Sequence, residues 1–441
     1  MKKITCLLIA ISITFTLSFP LAYIVGTDEP SKNVEKSTIQ DDAHSNINVA
    51  ESKVLKIIPD SSQTMYMLSD TVPSKVTDEA KNYFNSIINL MSNNSEFALK
   101  FEIDSTIIQH LALNNGFKVD ATYDDGYNIY HFPIQNSNNN NIEAVITVVE
   151  SINDPNSLSI QFGKNVTAIM LNTIRAMSNK DAPVLMVRDN AGILAVQENQ
   201  SSSYSYQSNK LNVKTLIEND DIINSNKRSI IEDSSLISNI DITKKTIIGQ
   251  DVLISNENNN QNQNRALYYD WVDLGSFGQV SNTGASIGGE CWAACIKSIT
   301  DAVWGSSHPT YNQIVTTGYS MYRIGPVGIG QITNILSRFN VLIERYPSPN
   351  APISFNTLQT AISQGSAPIT TWGVDLSNGS NVGSHAMLMT GYFVTTDWNN
   401  RLENNVFLMD PNSRYRESYR YGGSYYAPYN GYVMDNTSWS Y

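Results

Sequence analysis

Between Ser201 and Arg265 the chain changes material. It runs through "SSSYSYQSN" and "NENNNQNQN", with only a few apolar stretches around Ile222–Ile248. Tracts of this composition bury too little apolar surface to offset the entropy of ordering them. Residues 201–265 therefore read as a polar linker. A chain so divided is expected to fold as two bodies, and its 441 residues suffice for two or three domains.

On the N-terminal side, residues 51–200 carry a globular pattern. "TDEAKNYFNSIINLMS" (Thr77–Ser92) has apolar residues at helical spacing, with Thr77 placed to cap it. "GYNIYHFPI" (Gly126–Ile134) and "NIEAVITVVES" (Asn141–Ser151) alternate as strands do, across the loop "NSNNNN". "TAIMLNTIRAM" reads as a short helix, and Ala182–Asn199 as a hairpin turning at Asp189–Gly192. The expectation is a small α+β domain. It is preceded by a disordered segment, 23–50, and by a secretory signal peptide, 1–22, in "MKKITCLLIAISITFTLSFPLAYIVG". A retained membrane anchor is the rival reading of that run. The polar stretch from Thr27 favours the signal, so no stable membrane anchor is expected after its removal and the protein is expected outside the cell, free or at the cell surface. Cys6 lies too early for lipid attachment.

The formal net charge is −12, which argues against nucleic acid as a partner, because phosphate binding needs a basic face. Once the signal is gone only Cys291 and Cys295 remain, too few for a disulfide framework.

Both lie in "GGECWAACIKSIT" (Gly288–Thr300), where an apolar helix follows two glycines suited to a tight turn. Zinc would need two further ligands, and residues 266–441 offer only His308 and His385, so no metal is expected. A disulfide within one helical turn has poor geometry. Two readings remain: small core hydrophobes, or a thiol activated by the helix N-terminus. Cys291 falls in the first turn. Cys295 lies a turn deeper, where desolvation raises a thiol's pKa. "GSHAMLMTGYF" (Gly383–Phe393) opens a strand with His385, and "NNVFLMDPNS" (Asn404–Ser413) ends one at Asp410, where Pro411 stops the ladder. A hairpin of the two places His385 beside Asp410. Thiol, imidazole and carboxylate are the parts nucleophilic catalysis requires. His308 reads as structural or surface, and His44, His110 and His131 have no cysteine nearby.

A Cys-Trp at the start of a buried helix, a His opening a strand that ends in Gly-Tyr, and a strand ending in Asp-Pro resemble the papain-like cysteine peptidases. The similarity is strongest to the secreted bacterial branch that includes the staphopains. "SFNTLQTAISQGSAPITTW" (Ser354–Trp372) fits the helix, glycine turn and strand that commonly precede the His strand there. The resemblance covers about Trp271–Tyr441.

It implies an α+β, papain-like catalytic domain over 266–441, with Cys291 as nucleophile, His385 as general base and then acid, and Asp410 orienting His385. Asn412 is the alternative orienter. The family's oxyanion glutamine would stand where Ala285 is, so Gln279, further upstream, is the candidate. The tryptophan that often follows the family's orienting residue is absent, and the Cys-to-His spacing is shorter than in the plant and lysosomal enzymes.

The resemblance further implies a zymogen acting on protein or peptide substrates without a cofactor. Residues 51–200 would be its inhibitory pro-domain, removed by processing near Arg265. Other readings stay open: a cysteine acyltransferase or transglutaminase with the same three residues, a non-catalytic surface-binding protein, and an N-terminal half that serves as a permanent binding module.

Overall fold

An apolar side chain recurs every three or four residues along Ser74–Asn93, and the segment folds as helix α1, burying Val76, Ala80, Tyr83, Phe84, Ile87 and Met91. It starts earlier than Thr77 suggests. Pro73 precedes it, and Thr77, at the end of the first turn, gives its N–H and hydroxyl to the Pro73 carbonyl. The computed structural model describes residues 66–175, 182–189, 192–198, 204–208, 240–249, 251–256, 268–274, 290–305, 309–323, 329–341, 353–375, 381–397, 401–412, 415–428 and 431–440. The expected signal peptide 1–22 and segment 23–50 lie outside these residues, as do Arg265, Gln279, Gly288, Gly289 and His308.

Among the described residues the other α-helices are α2 (Ser95–Lys100), α3 (Asn165–Arg175), α4 (Cys291–Trp304), α5 (Tyr311–Met321), α6 (Ile329–Arg338) and α7 (Phe355–Ser363). Strands of the N-terminal half are β1 (Met67–Ser69), β2 (Leu111–Asn114), β3 (Phe117–Ala121), β4 (Tyr127–Asn136), β5 (Asn141–Ser151), β6 (Leu158–Gly163), β7 (Val184–Asp189), β8 (Gly192–Glu198), β9 (Tyr204–Ser208), β10 (Thr246–Ile248) and β11 (Val252–Ser255). The C-terminal half adds β12 (Tyr269–Trp271), β13 (Ile369–Asp375), β14 (Asn381–Thr396), β15 (Leu402–Met409), β16 (Arg416–Arg420), β17 (Tyr425–Ala427) and β18 (Tyr432–Ser440). The chain is thus of mixed α and β composition.

The expectation of two bodies on a linker meets a different arrangement. One antiparallel ladder runs β18, β13, β14, β15, β16, β6, β5, β4, β2, β11 through both halves. The seam is β16 on β6, where Glu417 faces Gly163, Ser418 faces Phe162 and Tyr419 faces Gln161. All described residues belong to one compact unit, Val54–Tyr441.

The end of the expected linker is structural. Strand β10 pairs with β1 and β11 with β2, while Lys245 reaches Asp70 at 2.9 Å and Asp120 at 2.8 Å. "TII" and "VLIS" are too short to stand out in a polar tract, yet each needs only one partner strand.

Two cores follow from the continuous sheet. One joins α1, α2 and strands β2, β4, β5 and β6 to Phe393 and Phe407 of β14 and β15. Another brings Tyr426 and Val433 among the apolar residues of β3, α3 and β7. Strand β14 separates two more. Ala386 and Leu388 face the cluster around α4, whereas Met387 and Met389 face the cluster with Trp372, Tyr419 and Tyr425. Burial on both faces explains the unbroken apolar run "AMLM". Gly391 is required in this strand: a Cβ there would lie 2.6 Å from the Asp270 carbonyl oxygen of β12.

Candidate active site

Cys291 is the first residue of α4. Glu290 precedes it and its carbonyl accepts the N–H groups of Ala293 and Ala294, starting the helix. The Glu290 carboxylate accepts a 3.1 Å bond from the Tyr311 hydroxyl of α5. Trp292 then locks the helix in place. Its ring fills the space over Gly318 of α5, where a Cβ would come within 2.2 Å of it. The Cys-Trp pair therefore has a plain mechanical reading: the tryptophan anchors the turn that holds the thiol.

His385 stands in β14 opposite Trp372 of β13, and Asp410 follows directly after β15. The β14–β15 hairpin brings His385 Nε2 within 2.6 Å of Asp410 Oδ1. With Nε2 so engaged, Nδ1 is the nitrogen left for the thiol, and Cys291 and His385 lie close enough for each to shift the other's titration. The next residue of the strand, Ala386, donates its backbone N–H to Cys291 Sγ at 3.3 Å. Cys291, His385 and Asp410, assigned together from the sequence, thus meet in space.

Asn412, the alternative orienter, takes another place. Its backbone N–H donates to Asp410 Oδ1 at 2.7 Å, and its buried side-chain oxygen has no partner among the described residues. Asp410 is the residue that contacts the ring.

The charges reinforce one another. Burial pushes the Cys291 thiol up, but the His385 charge and hydrogen bond, with the N–H groups of Ala386 and Trp292, outweigh it and hold the thiol below its ordinary range. Burial pushes the His385 imidazole down, and the opposing charges of Asp410 and Cys291 outweigh that, raising it well above its usual value. Asp410 is likewise pushed up by burial but held below the ordinary carboxylate range by His385, the Asn412 N–H and Tyr425. The directions of these shifts favour a thiolate–imidazolium pair beside a carboxylate. Cys295, one turn down and fully buried, is pushed well above its ordinary value by desolvation and by the charges of Cys291 and Asp410. Both cysteines are free thiols.

Behind Asp410 stands a group that sequence reasoning did not find. Tyr425 Oη lies 2.7 Å from Asp410 Oδ2 and 2.9 Å from Glu417 Oε2. A phenol has one proton and can donate to only one carboxyl. The other must supply its own. Asp410 faces the imidazole, so it is the ionised member, and Glu417 is the acid that keeps its proton and donates it to Tyr425. Burial, then the Asp410 charge, push Glu417 from 4.5 up to about 8.

Glu417 Oε2 also accepts from Gln161 Nε2 of β6 at 3.1 Å, and Gln161 Oε1 accepts from the Tyr426 N–H at 3.2 Å. A carboxylic acid oxygen can donate and accept at once, as this position demands. "YRESYRYGGSYY" signals only an aromatic strand pair; nothing in it marks Glu417 as buried beside the site.

The oxyanion glutamine cannot be placed, because Gln279 falls outside the described residues. Among those residues no cluster of three or more His, Cys, Asp or Glu could hold a metal ion. A scan against protein-family models finds no match, and a search among curated proteins finds no relative.

Proposed function

We propose that the protein is a papain-like cysteine peptidase made as a secreted precursor. The observation that carries this reading is the Cys291–His385–Asp410 chain, with a thiol held below its ordinary pKa at a helix N-terminus. The Cys291 thiolate would attack the carbonyl carbon of a peptide bond, moving the π electrons onto oxygen. Collapse of that adduct would expel the amine as His385 gives it the proton, leaving a thioester on Cys291. Water, deprotonated by His385, would then attack the thioester and return the thiolate and the carboxylic acid product. The backbone N–H of Cys291, at the first position of α4, would donate to the oxyanion. Cys291 and His385 are each 8% exposed. The secretory part of the reading rests on the apolar run at residues 4–26.

The test is covalent. An irreversible epoxide inhibitor, followed by intact-mass measurement on connector-cut, reduced protein, is expected to label Cys291. Labelling should vanish in Cys291→Ala and persist in Cys295→Ala. No labelling would sink the proposal. Labelling with incorporation of added amines, but no casein hydrolysis, would reassign the site to acyl transfer.

A further inference from the structure

We propose that the N-terminal half is a lasting partner of the C-terminal half: cutting the connector leaves the two bound as a two-chain protein. This does not rest on the peptidase reading, since it concerns packing alone.

The contact between the halves has the make-up of a core. Phe97 and Phe101 from the N-terminal half pack edge-on or tilted against Phe407, and Phe97 also against Phe393, with ring centroids 5.3–5.5 Å apart, while Phe162 packs on Phe101 at 4.7 Å. All five are at most 2% exposed. Apolar surface of that kind cannot face water on either half without a replacement. Contacts between domains that open are smaller and more polar.

Polar groups at the seam are also committed across it. Strand β6 supplies the only edge on which β16 pairs away from β15 among the described residues. Tyr83 Oη meets Ser418 Oγ at 2.9 Å, and the Ser424 N–H donates to Ser159 Oγ at 2.7 Å. Tyr123 Oη donates to the Gly431 carbonyl at 2.6 Å. Arg420 pairs across the seam with Glu79, which is 1% exposed. Gln161 holds Glu417, two hydrogen bonds from the carboxylate that faces His385. The N-terminal half is therefore built into the floor of the site.

Cleavage at Arg265 removes one covalent bond and none of these contacts. In the precursor reading, processing at Arg265 would then be a nick rather than the release of a separate domain.

A recognition sequence for a specific protease, placed at Arg265 in full-length Cys291→Ala, tests this without any catalytic activity of the protein. After cutting, verified by two bands on a denaturing gel, size-exclusion chromatography at dilute, neutral conditions is expected to give one peak at the uncut volume. Two separate peaks would overturn the proposal. Gly163→Val probes the seam: even a Cβ at Gly163 would sit 3.0 Å from Glu417 Cγ and 3.2 Å from the Arg416 carbonyl oxygen. The cut Gly163→Val protein is expected to separate at a concentration where the parent stays whole. Equal retention in the two would overturn the seam's role. Should Gly163→Val fold poorly before cutting, the parent's elution still decides.

Discussion

Glu417→Gln should change how stability depends on pH, not only how large it is. In the folded chain Glu417 holds its proton up to about pH 8, against an ordinary value of 4.5. Between those limits the native state binds a proton that the unfolded chain has released. Stability therefore falls as pH rises through this window, by about 1.4 kcal/mol per unit for one proton, or about 3 kcal/mol between pH 5 and pH 7. The contribution is fully present below the unfolded value and gone above the folded one. Glutamine has no proton to lose.

The variant also bears a constant cost. An amide at this position cannot both donate to Tyr425 and accept from Gln161, so one bond of roughly 1 kcal/mol is lost at every pH. Urea unfolding of both proteins at pH 5, 6 and 7 separates the two effects. The wild type should be the more stable at pH 5, and the variant should gain on it steadily, overtaking it by pH 7. Other buried titrating groups, His131 among them, cancel in the difference. Two curves that stay parallel across the window would refute the assignment of the proton to Glu417.

Other outcomes are equally specific. Cys291 should react with iodoacetamide well below the pH of about 8.5 at which an ordinary thiol ionises, while Cys295 stays inert until the chain unfolds; peptide mapping after alkylation at pH 6 reads this directly. Asp410→Ala should slow epoxide labelling of Cys291 by roughly tenfold or more, through loss of a charge-assisted hydrogen bond to His385, and Asn412→Ala by less than Asp410→Ala; the reverse order would move the orienting role. Phe407→Ala should cost about 3–5 kcal/mol and unfold both halves in one transition, since its ring lies in the shared core; two transitions by calorimetry would contradict a single core. Gly318→Ala should cost about 1–3 kcal/mol by driving a methyl into the Trp292 ring, and should slow labelling at the neighbouring Cys291.

How far these features could be read from sequence depends on their range. Local signals served well. The β4–β5 hairpin and the β7–β8 hairpin follow from alternation and turn residues, α4, β14 and β15 stand where their apolar runs put them, and α7 where the resemblance of Ser354–Trp372 put a helix. The meeting of Cys291, His385 and Asp410 was legible because two of the three sit on adjoining strands of one hairpin and the third opens a strongly apolar helix. What escaped notice are pairings between distant segments. Nothing in "SLSIQFG" announces that β6 will accept β16, because an edge strand and an internal strand share the same alternation. Glu417 looks like one charge among several in "RYRESYR". Its burial follows from Gln161 and Tyr425, which no local pattern links to it. The polar tract misled for the opposite reason, since its low-complexity composition hid three short strands that need only a neighbour.

The seam between β6 and β16 also sets an order of events for a growing chain. The N-terminal half leaves the ribosome first, with β6 already paired to β5 on one side and bare on the other. Its open edge, apolar on the face that Phe162 and Ile160 occupy, must wait for residues 416–420 at the far end of the polypeptide. Unpaired edges of this kind recruit other strands. A chain stopped before β16 is thus expected to find that strand in a neighbour, so that truncation of this protein yields association between copies rather than a well-behaved half.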